Sequence, residues 1–286
     1  MSLLSAAPLP RHLRRLVAGI ALVLVACLST GTVPARAATS ALPRSMASLG
    51  DSITRGFNAC GWYVDCPSRS WSTGSSSSVT SHYLRLLAAN SALYGHNVND
   101  AKSGARMSSL VTQAATAITQ HPDYVTILIG ANDACTSSES TMTPVATFQE
   151  QFRQAMQSLT AGMPNSLVFV ASIPNIKRLW NIGKDNWAAR TAWSLYGICQ
   201  SMLARPQSTT QADIDRRNRV KQRVIDYNAA LATVCAEYAH CRFDNNAVFD
   251  YPFVLNQVST WDYFHPNTSG QAALASVTWA NSFWAG

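Results

Sequence analysis

The chain has 286 residues, 47% of them hydrophobic, and a formal net charge of +7. This length is sufficient for one α/β domain with a substantial core, and no internal repeat or change in composition indicates a second domain. Four arginines lie in a predicted export signal, and their removal leaves 18 basic and 15 acidic residues, a net charge of +3. So small an excess argues against a nucleic-acid-binding protein, and we expect no nucleic-acid partner.

The N-terminus has the pattern of an export signal. Basic residues within 11–15 precede an apolar run over 16–28, and 35–37 reads Ala-Arg-Ala, a small-x-small cleavage site. The apolar run is too short to span a bilayer comfortably. We therefore predict a signal peptide over 1–37 and a secreted mature domain over 38–286.

The chain contains seven cysteines, and the first, Cys27, ends a Leu-Val-Ala-Cys stretch that leaves open the alternative of a lipid-anchored lipoprotein. The other six, an even number in a chain predicted to be exported, favour disulfides. Two pairs lie close in sequence, one within a loop and one around a helix end, which leaves the last two for each other. The predicted bridges are Cys60–Cys66, Cys235–Cys241 and Cys135–Cys199. The alternative, a metal site, lacks the tight cysteine pairs and nearby histidines of a zinc-binding pattern.

Strands and helices are predicted to alternate along the mature domain. Short apolar runs predict buried parallel strands over 46–49, 98–101, 124–129, 167–172 and 242–245. Amphipathic segments predict helices over 78–89, 107–119, 145–161, 214–238 and 270–283. The alternation predicts an α/β fold with helices on both faces of a parallel sheet of about five strands, and ligands beyond the carboxyl ends of the strands.

The region 174–210 contains Trp180, Trp187, Trp193 and Tyr196 and is predicted to be irregular. Aromatic side chains in such a region serve either as core packing or as a rim that faces lipid or substrate. The sequence leaves both interpretations open.

Ser52 follows the first predicted strand within the stretch LGDSITRG, 49–56. In one interpretation Gly50 permits a tight turn and Ser52 caps a following helix. In the other, the serine oxygen is a nucleophile beside backbone N–H groups that point outward. These eight residues alone do not decide between the two.

Two further motifs follow predicted strands at the same edge of the sheet. Gly104 stands in SGARM after the second strand, and Asn132 stands in IGAND at the end of the third. Gly104 could simply end a strand and Asn132 could cap a helix. With the N–H of Ser52, however, they would form an oxyanion hole, the set of donors that acyl transfer requires.

Near the C-terminus, the stretch WDYFHPNTSGQAALA places Asp262 three residues before His265. A lone histidine before proline is usually a surface residue, but a serine nucleophile needs a base and a carboxylate that orients it. Asp262 can bend back to His265 Nδ1, on a loop that we expect near solvent. The other histidines of the mature chain are predicted to be structural or exposed.

These four blocks, in this order, resemble those of the SGNH hydrolases, the broader GDSL family of esterases and lipases. The resemblance implies Ser52 as nucleophile and oxyanion donor, His265 as base and Asp262 as the residue that orients it. It also implies Gly104 and Asn132 as the other oxyanion donors, a three-layer α/β/α sandwich, and neither metal nor organic cofactor. The chain departs from the family name only in Ile53, where an apolar residue replaces leucine.

We therefore expect a secreted serine esterase or lipase that hydrolyses acyl esters, lipids or phospholipids included, through an acyl-enzyme on Ser52. A polysaccharide O-acetyl esterase is the enzymatic alternative, because one fold serves several functions. A wall- or lipid-binding protein without turnover is the non-enzymatic alternative. The expected partner is an acyl ester or lipid substrate, and we expect a monomer without a stable protein partner.

Overall fold

A five-stranded parallel sheet forms the centre of the computed structural model, which describes residues 41–285. The strands are β1 (Met46–Gly50), β2 (Asn97–Asn99), β3 (Tyr124–Leu128), β4 (Leu167–Val170) and β5 (Cys241–Phe243). Their spatial order is β2-β1-β3-β4-β5, with Met46 opposite both Asn97 and Tyr124. The predicted number of strands and their parallel direction are confirmed. The predicted signal peptide and Cys27 lie outside the described residues.

The helices vary from one turn to seven. In chain order they are α1 (His82–Ala89), α2 (Leu110–Gln120), α3 (Ala131–Ala134), α4 (Val145–Gly162), α5 (Ile176–Gly183), α6 (Trp187–Leu195), α7 (Gln200–Leu203), α8 (Gln211–Cys235), α9 (Ala247–Asp250) and α10 (Thr268–Trp279). In α4, Phe148, Phe152, Met156 and Leu159 are buried at helical spacing. Among the described residues, no helix combines the length and apolarity that a membrane crossing requires.

Right-handed crossovers determine which face of the sheet each helix covers. The chain passes outward from β1 to β2 through α1 and returns across β1 to β3 through α2, so α1 and α2 lie on opposite faces. The next two connections continue in the direction of the second, which places α4 and α8 beside α2. In agreement, α4 packs against both α2 and α8. The result is the predicted three-layer α/β/α sandwich.

On the opposite face, α1 and α10 meet through His82. Its Nδ1 lies 2.9 Å from the hydroxyl of Tyr124, and its Nε2 lies 2.9 Å from Oγ1 of Thr278. Burial lowers the pKa of His82 to about 3, so the ring is neutral across the physiological range. His82 is therefore a structural histidine.

The prediction that 174–210 is irregular is wrong, because this region contains α5, α6 and α7. Asn175 and Asn186 cap the first two by accepting hydrogen bonds from backbone N–H groups three residues ahead. These helices are too short for their apolar periodicity to stand out in the sequence. Trp193 is 1% exposed and packs in the core, whereas Trp187 is 73% exposed at the surface.

Three disulfides tie the surface of the domain together. They join Cys60 to Cys66, Cys135 to Cys199 and Cys235 to Cys241, the pairs predicted from the sequence. The first closes a loop beside Ser52, and the second links the end of α3 to the start of α7. Two of the three therefore support segments that adjoin the candidate site.

Candidate active site

Ser52 lies just beyond β1, at the carboxyl edge of the sheet where the crossovers change direction. Gly50 ends the strand with a φ of 150°, and a Cβ there would overlap the carbonyl oxygen of Leu128, so only glycine fits. Gln113 of α2 holds both backbone groups of Gly50: its Oε1 accepts from the N–H at 2.7 Å, and its Nε2 donates to the oxygen at 2.8 Å. The position of Ser52 is thus fixed by a tight corner.

The interpretation of Ser52 as a helix cap is wrong. The residues after it form successive turns, in which the N–H of Phe57 donates to the carbonyl oxygen of Ser52 at 3.0 Å. A capping side chain needs the free N–H groups of a helix start, and none follows here. The hydroxyl of Ser52 has another partner.

Ser52, His265 and Asp262 form an unbroken hydrogen-bond chain. The Oγ of Ser52 lies 2.7 Å from Nε2 of His265, and Nδ1 of His265 lies 2.6 Å from Oδ2 of Asp262. A backbone hydrogen bond holds His265 in position. The N–H of Ser259 donates to the carbonyl oxygen of His265 at 2.8 Å and closes the loop between the two residues. With the ring N–H directed at the carboxylate, Nε2 is left to accept the serine proton.

Asp262 is buried, with 3% of its surface exposed, contrary to the expectation of a loop near solvent. Burial alone would raise its pKa, but the hydrogen bond and charge of His265 and backbone N–H groups lower the pKa overall. The N–H groups of Phe264 and His265 donate to Oδ1 at 2.9 and 3.1 Å, and Nδ2 of Asn58 donates to Oδ2 at 2.7 Å. Asp262 is therefore held as a carboxylate by four donors.

Asp51 is a second buried carboxyl group, next to Ser52 in the chain. Its Oδ1 accepts one hydrogen bond, from the N–H of Ile53 at 2.9 Å, while Oδ2 has no partner among the described residues. Burial raises the pKa of Asp51 to about 7, although the Ile53 hydrogen bond and the charge of His265 act in the opposite direction. Near neutral pH this group is on the edge of ionisation.

Gly104 and Asn132 line the same cleft as Ser52, Asp262 and His265, so all five predicted site residues are brought together. The cap interpretation of Asn132 is wrong: Gly130 caps α3, and Nδ2 of Asn132 donates to the oxygen of Ala105 at 2.9 Å. That bond uses one of the two amide hydrogens. In residues 41–285, the N–H groups of Ser52 and Gly104 donate to no protein acceptor. Three donors are thus available to a bound anion.

Aromatic side chains form the walls of this cleft, which has a volume of about 330 Å³. The ring of Phe57 lies 4.9 Å from that of His265, and the rings of Tyr63 and Tyr196 lie 5.7 Å apart across the opening. Beyond them, Trp62 is 69% exposed and Trp261 is 48% exposed. The entrance to the cleft is therefore an exposed aromatic rim.

A smaller pocket of about 70 Å³ adjoins the cleft. Ile53, Ala131 and Phe264, which line it, are the immediate chain neighbours of Ser52, Asn132 and His265. Phe264 also lines the cleft, so the two spaces meet at this side chain. The rest of the lining is mostly apolar and comes from α5 and the 253–266 segment. A pocket with this lining is suited to an apolar group.

Sequence reasoning missed Asn58 and Gln113, which act on the site only through tertiary contacts. Asn58 is separated by 204 positions from Asp262, and Gln113 by 63 from Gly50. Neither stands in a motif, and no periodicity marks them. The available signal was weak: Gln113 is a polar residue on the buried face of a predicted helix.

The described residues contain no cluster of three or more histidine, cysteine or acidic side chains that could hold a metal ion. In a sequence comparison no curated protein matches the chain. The family model of the GDSL-like lipase/acylhydrolases matches residues 46–277, most of the chain.

A solved structure shares the fold at low sequence identity: a lipase from a goat rumen metagenome has a TM-score of 0.51 at 16% identity, covering 84% of this chain and 97% of that one. Two other solved structures are similar to the chain. An extracellular lipase from Streptomyces rimosus has a TM-score of 0.49 at 19% identity, covering 83% and 99%. The family 3 carbohydrate esterase of Clostridium thermocellum has a TM-score of 0.48 at 17% identity, covering 82% and 92%. On the match of its family model, the chain belongs to the GDSL-like lipase/acylhydrolase family and is a carboxylic ester hydrolase.

Proposed function

We propose that the chain is a secreted serine hydrolase that cleaves acyl esters through an acyl-enzyme on Ser52. The observation that carries the proposal is the hydrogen-bond chain from Ser52 Oγ through His265 to Asp262, with distances of 2.7 and 2.6 Å. A serine hydroxyl is a weak nucleophile unless an adjacent base takes its proton. In this protein His265 is that base, and Asp262 is the carboxylate that orients it.

Acylation begins when His265 Nε2 takes the proton of Ser52 and Oγ attacks the ester carbonyl carbon. The carbonyl oxygen becomes an oxyanion, which accepts hydrogen bonds from Ser52 N–H, Gly104 N–H and Asn132 Nδ2. Loss of one such donor costs about 3 kcal/mol of transition-state stabilisation. His265 then gives its proton to the leaving alcohol oxygen as the carbon–oxygen bond breaks, and the acyl group stays on Ser52.

Deacylation repeats these steps with water as the nucleophile. His265 takes a proton from water, the hydroxide adds to the acyl carbon, and the proton returns to Ser52 Oγ as the acid leaves. Asp262 receives no proton; it fixes the His265 tautomer and stabilises the imidazolium that forms in each half-reaction.

The apolar pocket beside Ser52 favours an acyl chain longer than acetyl. One water-sized group needs about 10–15 Å³ of cavity volume. The apolar pocket, with about 70 Å³, therefore holds an acyl chain of medium length. Each methylene moved from water into the pocket contributes about 0.8 kcal/mol. We therefore propose medium-chain acyl esters as the preferred substrates.

A polysaccharide acetyl esterase is the second candidate, on one specific observation. The exposed rings of Trp62 and Trp261 lie 6.4 Å apart with 36° between their planes, at the rim of the cleft. Exposed aromatic faces can stack against sugar rings. An acetyl group, however, would leave the apolar pocket empty.

Secretion is supported by cysteine usage. All six cysteines of the predicted mature chain form disulfides, which persist in oxidising compartments outside the cytosol. The predicted signal peptide over 1–37 agrees with this location. Mass spectrometry of protein recovered from the culture medium of an expressing bacterium would locate the mature N-terminus, which we expect near residue 38.

The substrate proposal is tested by measuring kcat/KM for p-nitrophenyl esters of increasing chain length beside acetylated xylan. We expect activity to rise from acetyl to medium-chain esters. Ile182→Trp, which fills the apolar pocket, should lower medium-chain activity about tenfold or more and spare acetyl ester activity. Ile214→Trp, the same change on the outer surface of α8, is the matched control. A preference for acetylated xylan over every acyl ester would instead support the second candidate.

A further inference from the structure

We propose that, within the serine mechanism proposed above, Asn58 is a positioning residue whose side-chain amide fixes the Asp262 carboxylate beside His265. It lies outside the four sequence blocks. Its Nδ2 donates to Oδ2 of Asp262 at 2.7 Å, the same oxygen that lies 2.6 Å from His265 Nδ1. A carboxylate oxygen can only accept, so the amide must direct its N–H group toward it.

The arrangement divides the four donors evenly between the two carboxylate oxygens. Oδ1 is held by the N–H groups of Phe264 and His265, which belong to the same loop as Asp262. Oδ2 is held by His265 Nδ1 and by Asn58, which reaches it from the loop after β1. Asn58 is therefore the donor that connects this carboxylate to the segment carrying Ser52.

The backbone and burial of Asn58 suit this role. Its φ of 60° lies in the left-handed region, which asparagine adopts more readily than most non-glycine residues. Asn58 is 3% exposed, so its side chain lies inside the protein and not in solvent. Both features agree with an amide that is directed at Asp262.

The loop that carries Asn58 is held in place on several sides. The N–H of Asn58 donates to the oxygen of Val64 at 3.0 Å, and the Cys60–Cys66 disulfide closes the loop just beyond. Arg69 donates to the oxygen of Ala59 at 2.7 Å and to Oγ1 of Thr268 at 2.8 Å. The Asn58 amide is thus presented to Asp262 from a fixed position.

Removal of the amide should change how His265 titrates. The N–H of Asn58 disperses negative charge on the oxygen that faces His265, so its loss leaves a carboxylate that stabilises the imidazolium more strongly. Two other groups act on this pair. Burial and the neighbouring Tyr196 raise the pKa of Tyr63 to about 12, so it stays neutral, whereas burial raises the pKa of Asp51 to about 7, within the range of the pH profile. Each variant is therefore also measured in an Asp51→Asn background.

The test is the pH profile of kcat/KM for a medium-chain ester with Asn58→Gly. Glycine tolerates the left-handed φ, so this variant removes the amide without adding backbone strain. We expect kcat to fall about tenfold with KM nearly unchanged, and the acid limb to move up by about half a pH unit. Asn245→Gly, at an exposed asparagine with a φ of 54°, is the matched control and should leave both unchanged.

Asn58→Asp provides a second, nearly isosteric variant in case the glycine variant does not fold. Two buried carboxyl groups at this distance do not both ionise, so the new side chain should keep its proton, donate to Asp262 Oδ2 in place of the amide, and retain kcat within about threefold of the parent. An unchanged acid limb in folded Asn58→Gly with kcat within twofold of the parent, or a loss of more than tenfold in kcat in folded Asn58→Asp, would overturn the role of Asn58. Failure of the serine mechanism itself would appear separately, as full activity in Ser52→Ala.

Discussion

Two carboxyl groups, Asp51 and Asp262, lie within the same site, and they respond to burial in opposite ways. Asp51 is 0% exposed and Asp262 is 3% exposed, so burial alone would raise the pKa of each. The pKa of Asp262 is nevertheless lowered, whereas that of Asp51 is raised to about 7. The difference lies in their partners: Asp262 accepts four hydrogen bonds, two of them from His265, and Asp51 accepts one, from the N–H of Ile53.

The comparison shows that hydrogen-bond donors, and not depth, decide which carboxyl group remains charged. A carboxylate that accepts several N–H groups keeps its charge in a buried position, because the donors replace the water it has lost. Only a charged group can stabilise the imidazolium form of His265. Asp262, in the segment 259–266, is therefore the charged partner of His265. Asp51, in the corner after β1, contributes to the shape of that corner.

The largest expected effect is a difference in kcat between variants of the two carboxyl groups. Asp262→Asn should lower kcat on the order of 10³-fold, because the amide disturbs the His265 tautomer and cannot stabilise the imidazolium. Measurable activity should remain, supplied by the nucleophile and the oxyanion donors. Asp51→Asn, the same chemical change at the neighbouring group, should stay within tenfold of the parent. Equal losses in the two variants, measured with one p-nitrophenyl ester, would remove the distinction between them.

The second prediction concerns stability against pH. Because the folded-state pKa of Asp51 lies above its unfolded value, folding favours the protonated form, and stability should fall as pH rises from about 4 to 7. Three pH units correspond to a loss on the order of 4 kcal/mol. The raised pKa values of Asp133 and Asp244 act in the same direction.

Urea unfolding of the parent and of Asp51→Asn at pH 4 and pH 8 tests this contribution. The variant should lose less free energy of unfolding than the parent between the two pH values. Asp100, Asp133 and Asp244, whose pKa values burial also raises, contribute to the remaining decline. An identical decline in the two proteins would show that Asp51 is charged in the folded state throughout this range.

The smallest expected effect uses two disulfides with the same sequence separation of six residues, Cys60–Cys66 and Cys235–Cys241. Replacing both cysteines of either pair by serine should cost about 2 kcal/mol of stability, because the closed loops are equally long. Only the first replacement should also lower kcat, by several-fold, since that loop contains Val64, whose oxygen accepts the hydrogen bond of the Asn58 N–H. A similar fall in kcat for the Cys235–Cys241 variant would show a general effect of destabilisation.

The sequence allowed prediction of features with local signatures. Buried apolar runs located the strands, and the order of Ser52, Gly104, Asn132, Asp262 and His265 relative to those strands indicated one sheet edge. The short helices α5 to α7 were missed because their caps, Asn175 and Asn186, lie in a stretch without clear periodicity. Asn58 was missed because its role depends on a contact across 204 positions. The burial of Asp262 likewise arises only from tertiary packing.

The most direct test of the central claim is covalent trapping of the nucleophile. The mature protein is incubated with diethyl p-nitrophenyl phosphate, which phosphorylates an activated serine, and the modified residue is located by peptide mass spectrometry. We predict modification at Ser52 in step with loss of esterase activity, slower modification in Asp262→Asn, and none in Ser52→Ala. Full loss of activity without modification of Ser52, or unchanged esterase activity in Ser52→Ala, would contradict the proposed mechanism.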